Sequence, residues 1–265
     1  MISMRKDIVG VCRVVLALLL LLTVHLGSSV ASAQSSELVT DRPDQTESAT
    51  VVLRGVVQVE TGYLFARDGD VDRYEVPGTL FRVGLGGRTE LRIGHAGVIG
   101  EEKRHGAGDS NLGVKVNFIE RSDGWQPELA ILGGLSVPTG DDGFSSGGVD
   151  PSFLISAAYT LSPRLSVGSN IGAAWESSSE ETDRDVAIVY SLVVGGGLMD
   201  GLGVFLELFG DRQIVGANAT SASVNGGLTF LLTDLVQLDV YVGRSLWGLT
   251  DDVFVGTGLS FRVPR

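Results

Sequence analysis

Runs of alternating apolar and polar residues, repeated from Val56 to Val263 and separated by turns, constrain this chain more than any other feature. In the last run Val253, Val255, Thr257, Leu259, Phe261 and Val263 share one face, with Gly256, Gly258, Ser260 and Arg262 on the other. A period of two is the signature of a strand, because successive Cβ atoms point to opposite faces. One such run would suit any half-wet antiparallel sheet; its repetition along the chain is what points to a large closed one. Strands are predicted near 56–66, 73–85, 89–99, 109–119, 126–138, 150–161, 165–177, 185–198, 202–210, 220–232, 236–244 and 252–263, an even set of about twelve.

The connections are sorted into two kinds. Gly86-Gly87-Arg88, Ser162-Pro163-Arg164, Met199-Asp200-Gly201 and Thr233-Asp234-Leu235 are tight, and Glu120 to Trp125 is slightly longer. Between them come looser, charged segments at 67–72, 100–108, 140–149, 178–184, 211–219 and 245–251. Short turns at one end and longer loops at the other are the habit of transmembrane barrels.

Parity then separates the faces. Val57, Val59, Tyr63, Phe65, Leu91, Ile93, Leu112, Val114, Ile131, Leu135, Phe153, Ile155, Leu192, Val194, Leu228 and Phe230 fall outward, on a face almost free of charge. Glu60, Arg82, Glu90, Arg92, Lys115, Glu128, Glu207, Asp239 and Arg262 fall inward, among Gln58, Asn117, Ser156, Asn170, Asn225, Thr229 and Gln237. A soluble barrel has the opposite arrangement, apolar inside and charged outside. The expectation is an all-β, antiparallel, up-and-down transmembrane barrel over residues 56–265. Many strand glycines share the inward parity, where they let the wall curve and leave room for longer neighbours.

The amino terminus reads as an export signal: Arg5, Lys6 and Arg13, an apolar block from Val14 to Leu22, then Ala31-Ser32-Ala33. The block is shorter than the roughly 20 residues of a spanning helix, and cleavage after Ala33 is expected. Residues 1–33 are therefore assigned as leader and 34–55 as a polar, plug-like or periplasmic segment before the barrel. Cys12, the only cysteine, lies in the leader, so the remaining chain offers no disulfide or thiolate ligand. Without Arg5, Lys6, Arg13 and Asp7, the 20 basic and 32 acidic residues become 17 and 31, a net charge of −14 that disfavours nucleic acid as a partner.

The segment Thr40-Asp41-Arg42-Pro43-Asp44-Gln45-Thr46-Glu47-Ser48 is followed by Gln58-Val59-Glu60-Thr61-Gly62-Tyr63, and the fifth strand ends Gly133-Gly134-Leu135-Ser136-Val137-Pro138-Thr139-Gly140. These motifs resemble the outer-membrane transporter family named for the MetA pathway of phenol degradation, over essentially the whole chain after the leader. The resemblance implies an outer-membrane barrel of a Gram-negative-type envelope that passes small molecules, aromatic or hydrophobic ones among them. Its partners would be outer-membrane lipid, the barrel-insertion machinery and a small solute. One departure is the ending Phe261-Arg262-Val263-Pro264-Arg265, where such barrels finish on an aromatic residue; Phe261 is the nearest substitute.

Three readings follow: a passive channel, a structural or adhesive barrel closed by its own charge network, and a membrane hydrolase. Inward Glu60, Glu90, Glu128, Glu207 and Asp239 against Arg82, Arg92, Lys115 and Arg262 either set selectivity or neutralise one another in a filled lumen. Thr40, Asp41, Arg42, Pro43, Asp44, Thr46 and Glu47 either enter that lumen or cap its periplasmic mouth, with Arg42 paired to acidic groups. For catalysis only His95 and His105 remain, and adjacent Ser110 and Asn111 point to opposite faces of one strand, so a serine–histidine–asparagine triad is not expected. No cofactor is expected, and the scattered acids lack the spacing of a calcium loop. Trp125, Trp175 and Trp247 sit at predicted strand ends, where interfacial anchoring places them.

Overall fold

The computed structural model describes residues 38–121, 126–177, 184–216, 219–248 and 251–263; the leader and Trp125 lie outside them. Its strands are β1 (Val57–Asp68), β2 (Val71–Gly86), β3 (Thr89–His95), β4 (Val98–Glu101), β5 (Arg104–Ala107), β6 (Ser110–Ile119), β7 (Glu128–Val137), β8 (Asp150–Ser162), β9 (Leu165–Ser177), β10 (Arg184–Met199), β11 (Leu202–Val215), β12 (Thr220–Thr233), β13 (Val236–Trp247) and β14 (Val253–Val263). All neighbours are antiparallel, and β1 pairs with both β2 and β14, which closes the sheet on itself. Closure removes the free edges that an open sheet would expose.

Twelve strands make the wall, because two of them are interrupted. The pairs Thr79↔His95 and Val76↔Val98 keep one register between β2 and the β3–β4 line, and His95↔Ser110 and Val98↔Ala107 keep one register across the next hairpin. The break falls where Gly97 takes φ 82°, in the left-handed region open to glycine. This corrects the expectation of a loop over 100–108: the segment is hairpin, with its turn at Glu102 and Lys103. Its glycines and charges read as loop, yet the β2 ladder carries through it. Similarly, β11 runs on to Val215 where a loop from 211 was expected.

The hairpin of β4 and β5 is covered by the loop after β7. Asp141 accepts the Ala107 N–H at 2.8 Å and returns its own N–H to the Ala107 carbonyl, and Arg104 lies 5.7 Å from the Phe144 ring centroid. Asp109 braces the same loop by accepting the N–H groups of Gly140 and Ser146, each at 2.9 Å. Burial works against its charge, but these donors win and hold its carboxyl below the usual range.

The faces are inverted relative to a soluble protein. Outward Ile171, Leu206 and Val242 are 57%, 62% and 57% exposed, whereas inward Gln58, Arg82, Glu90 and Lys115 are wholly covered. Apolar residues exposed all round a closed sheet form a surface that only lipid stabilises. Val59 and Leu135 are covered despite outward parity; Val59 is flanked in register by Phe81 and Phe261.

Candidate functional site

Inside the barrel lies the segment before β1, and the inner wall bonds to it from nearly every side. Short polar stretches without period have their backbone groups unpaired, and here the wall side chains satisfy them. Glu60 on β1 accepts the N–H groups of Asp41 and Arg42 at 2.9 and 3.0 Å. Glu207 on β11 accepts Gln45 N–H at 2.9 Å and the Thr46 hydroxyl at 2.6 Å, and Asn170 on β9 accepts Glu47 N–H. Glu90 takes Val52 N–H at 2.8 Å, and Glu128 takes the Thr50 hydroxyl at 3.2 Å. In the other direction Arg82 donates to the carbonyls of Val39 and Thr50, Asn117 to Ala49, and Ser156 and Asn170 to Glu47. Gln237 donates to the Thr40 hydroxyl, which itself donates to the Arg42 carbonyl.

Two groups of charges result. On one wall Arg82, Arg92 and Lys115 meet Glu60 and Glu90, and the segment adds Asp41 and Glu47. Asp41 stands 3.2 Å from Arg82, 2.5 Å from Arg92 and 2.9 Å from Lys115. Glu47 stands 2.7 Å from Arg92 and 3.3 Å from Lys115. Arg82 also reaches Glu60 and Glu90, each at 3.0 Å. Buried ions of this kind persist only with such partners. On the opposite wall Arg42 pairs with Asp239 at 3.1 Å and lies 6.0 Å from the Tyr241 ring centroid. A Cβ on Gly62 or Gly258 would collide with its guanidinium, so these two glycines on β1 and β14 make its berth. Arg262 on β14 donates to Gln58 at 2.8 Å, and Gln58 in turn donates to Glu60. Pro43 follows Arg42 through a cis peptide bond and is buried.

Asp44 is partly buried near Glu207. Burial first, and then the Glu207 carboxylate, push its carboxyl well above the usual range. A carboxyl raised on docking binds a proton more tightly in the docked state, so docking is strongest below the ordinary carboxylate range. It weakens as pH rises from there through the raised value. Any ion current past the segment should therefore grow as pH is raised across that window, and Asp44→Asn should flatten the dependence in bilayer recordings.

Above the charged level the lumen widens, with apolar side chains set among polar and acidic ones such as Asp150, Glu176 and Asp211. Leu80, Leu132 and Leu154 border a cavity of about 590 Å³ beside Arg92 and Glu47, and Leu154, Val189 and Phe209 border another of about 570 Å³ above Gln45. Phe205, Phe209, Tyr241 and Phe254 gather inside the wall, with Phe254 6.1 Å from Phe209 and 6.3 Å from Tyr241 between centroids. These rings escaped the reading of the sequence, although Phe205 and Phe209 share the parity of Glu207, Tyr241 that of Asp239, and Phe254 that of Gly256. Gly227, Gly243 and Gly256 leave the space that the rings fill.

The histidines stand away from this interior. His95 is exposed and accepts Gly97 N–H at 2.7 Å; His105 is exposed on the projecting hairpin, while the Ser110 hydroxyl accepts a hydrogen bond from Thr139. Among the described residues no cluster of three or more His, Cys, Asp or Glu side chains could hold a metal ion.

A closed twelve-stranded antiparallel barrel with a polar interior and an apolar exterior defines the class: an outer-membrane β-barrel. The chain belongs to the family described as "Putative MetA-pathway of phenol degradation", whose model matches residues 40–263. Among solved structures it is similar to the COG4313 outer membrane channel from Pseudomonas putida F1, with TM-score 0.64 and 14% identity over 81% of this chain and 98% of that one. It is also similar to the NanC porin (TM-score 0.56, 12% identity, 78% and 100% covered) and the KdgM porin (0.51, 11%, 77% and 98%). At these identities the likeness is one of fold. No curated protein matches the chain.

Proposed function

We propose that this protein is a channel of a Gram-negative-type outer membrane that passes small aromatic or hydrophobic molecules passively, without catalysis. In this reading residues 34–55 are a plug, and Glu60, Arg82, Glu90, Arg92, Lys115, Glu128, Glu207 and Asp239 line the lumen and seat it. The observation that carries it is the space above the segment: cavities of about 570 and 590 Å³ inside the closed barrel, where Leu80, Leu132, Leu154, Val189 and Phe209 turn inward among polar groups that include Asp150, Glu176 and Asp211. Apolar side chains turned inward in a membrane barrel have no part in contacting lipid, and they suit a solute with an apolar body. The similar folds of a channel and two porins support the same reading.

The competing reading, a structural barrel with a permanently closed lumen, draws on the dense pairing around Asp41. Planar-bilayer recording of correctly folded protein separates the two. Discrete conductance steps, reduced more by benzyl alcohol than by equal glucose, are expected; absence of any conductance would overturn the channel.

A further inference from the structure

We infer that a solute passes the segment along the inner face of β12, at Asn225. The inference rests on the channel reading above and adds the route. Where the segment crosses the lumen, Glu207 on β11 holds Gln45 and Thr46, and Asp239 on β13 holds Arg42. Between them stands β12, with Asn225 directly opposite Glu207 in register. Asn225 is 2% exposed, and neither its Oδ1 nor its Nδ2 has a hydrogen-bond partner in the described structure. A covered amide without partners is costly, and a passing group that bonds to it relieves that cost.

The surroundings mark out the rest of the route. On the outer side, Ser221 and Ser223, which share Asn225's face of the strand, border the cavity of about 570 Å³. On the periplasmic side come Gly227 and Thr229 of the same face. The Phe205 ring closes over Gly227, 2.7 Å from where its Cβ would stand, and Tyr241 stands opposite Gly227 in register with its ring over Gly256. Passage on the opposite wall requires Asp41 and Glu47 to leave Arg82, Arg92 and Lys115, which separates charge-assisted pairs in a poorly solvated interior. Passage along β12 leaves those cations paired and requires the aromatic side chains to turn and the short stretch between Arg42 and Gln45 to shift. Asn225 carries no charge, so the route suits a neutral solute with an apolar body and one hydrogen-bonding group.

Single cysteines introduced in a Cys12→Ser background test this. Asn225→Cys and Thr229→Cys lie on the route; Ala158→Cys lies across the lumen on the inner face of β8, where it borders a separate cavity of about 210 Å³. Each full-length variant is recorded in a planar bilayer before and after benzyl methanethiosulfonate, a neutral aromatic thiol reagent. Current through Asn225→Cys or Thr229→Cys should fall about fivefold, since a benzyl group obstructs a narrow lumen, while Ala158→Cys keeps its current. Thr229→Cys carries the test if Asn225→Cys does not fold. Current that persists at both β12 positions, or falls equally at Ala158→Cys, overturns the route while leaving the channel standing. Absence of current from every variant and from the parent overturns both.

Discussion

Asp41→Asn should raise the open fraction of the channel on the order of 100-fold, the equivalent of about 3 kcal/mol lost from docking. The wall alone carries three buried cations, Arg82, Arg92 and Lys115, against two carboxylates in contact with them, Glu60 and Glu90. The segment brings Asp41, whose one carboxylate meets all three cations and also accepts Ser48 N–H at 2.8 Å. Asparagine can keep the bond to Ser48 but not the charge. The three cations then lose their shared anion, and the docked segment loses its strongest tie. Bilayer recordings give the open fraction directly. An unchanged open fraction, with the barrel folded, would show that Asp41 does not hold the segment.

Arg82→Ala should be the most destabilising change in the wall, by about 3–5 kcal/mol, because it leaves Asp41, Glu60 and Glu90 buried without the guanidinium they share. It also removes the donors to the carbonyls of Val39 and Thr50. Arg67→Ala is the fitting comparison. Its pair with Asp72 is geometrically good, but both side chains are about half exposed, and its loss should leave stability nearly unchanged. Denaturant midpoints in detergent of the two variants against the parent measure the contrast. Equal shifts would mean that the interior network is solvated like the surface pair.

The difference between these two arginines follows from strand parity, which is a local property of the backbone and so was legible from residues alone. Glu60, Arg82, Glu90 and Lys115 share one face of their strands whatever the barrel's diameter. Their partners were not legible. Which wall carboxylate meets Asp41 N–H or Gln45 N–H depends on how closure places strands far apart in sequence around an aperiodic segment. The inward rings are harder to read for another reason: an apolar side chain taken alone suits the lipid face, and only the two-residue spacing of Tyr241 from Asp239 and of Phe205 from Glu207 turns them inward. The hairpin of β4 and β5 was hidden by its glycines, while the register that sustains it belongs to β2.

Deleting residues 38–53 and comparing single-channel conductance with the intact chain tests the central claim most directly. The account predicts small, intermittent steps from the intact barrel and steady conductance several-fold larger from the deleted one. That follows because wall groups such as Glu60, Glu207 and Asp239 would then face water instead of the segment. Equal conductance from the two folded proteins, or none from either, would contradict it.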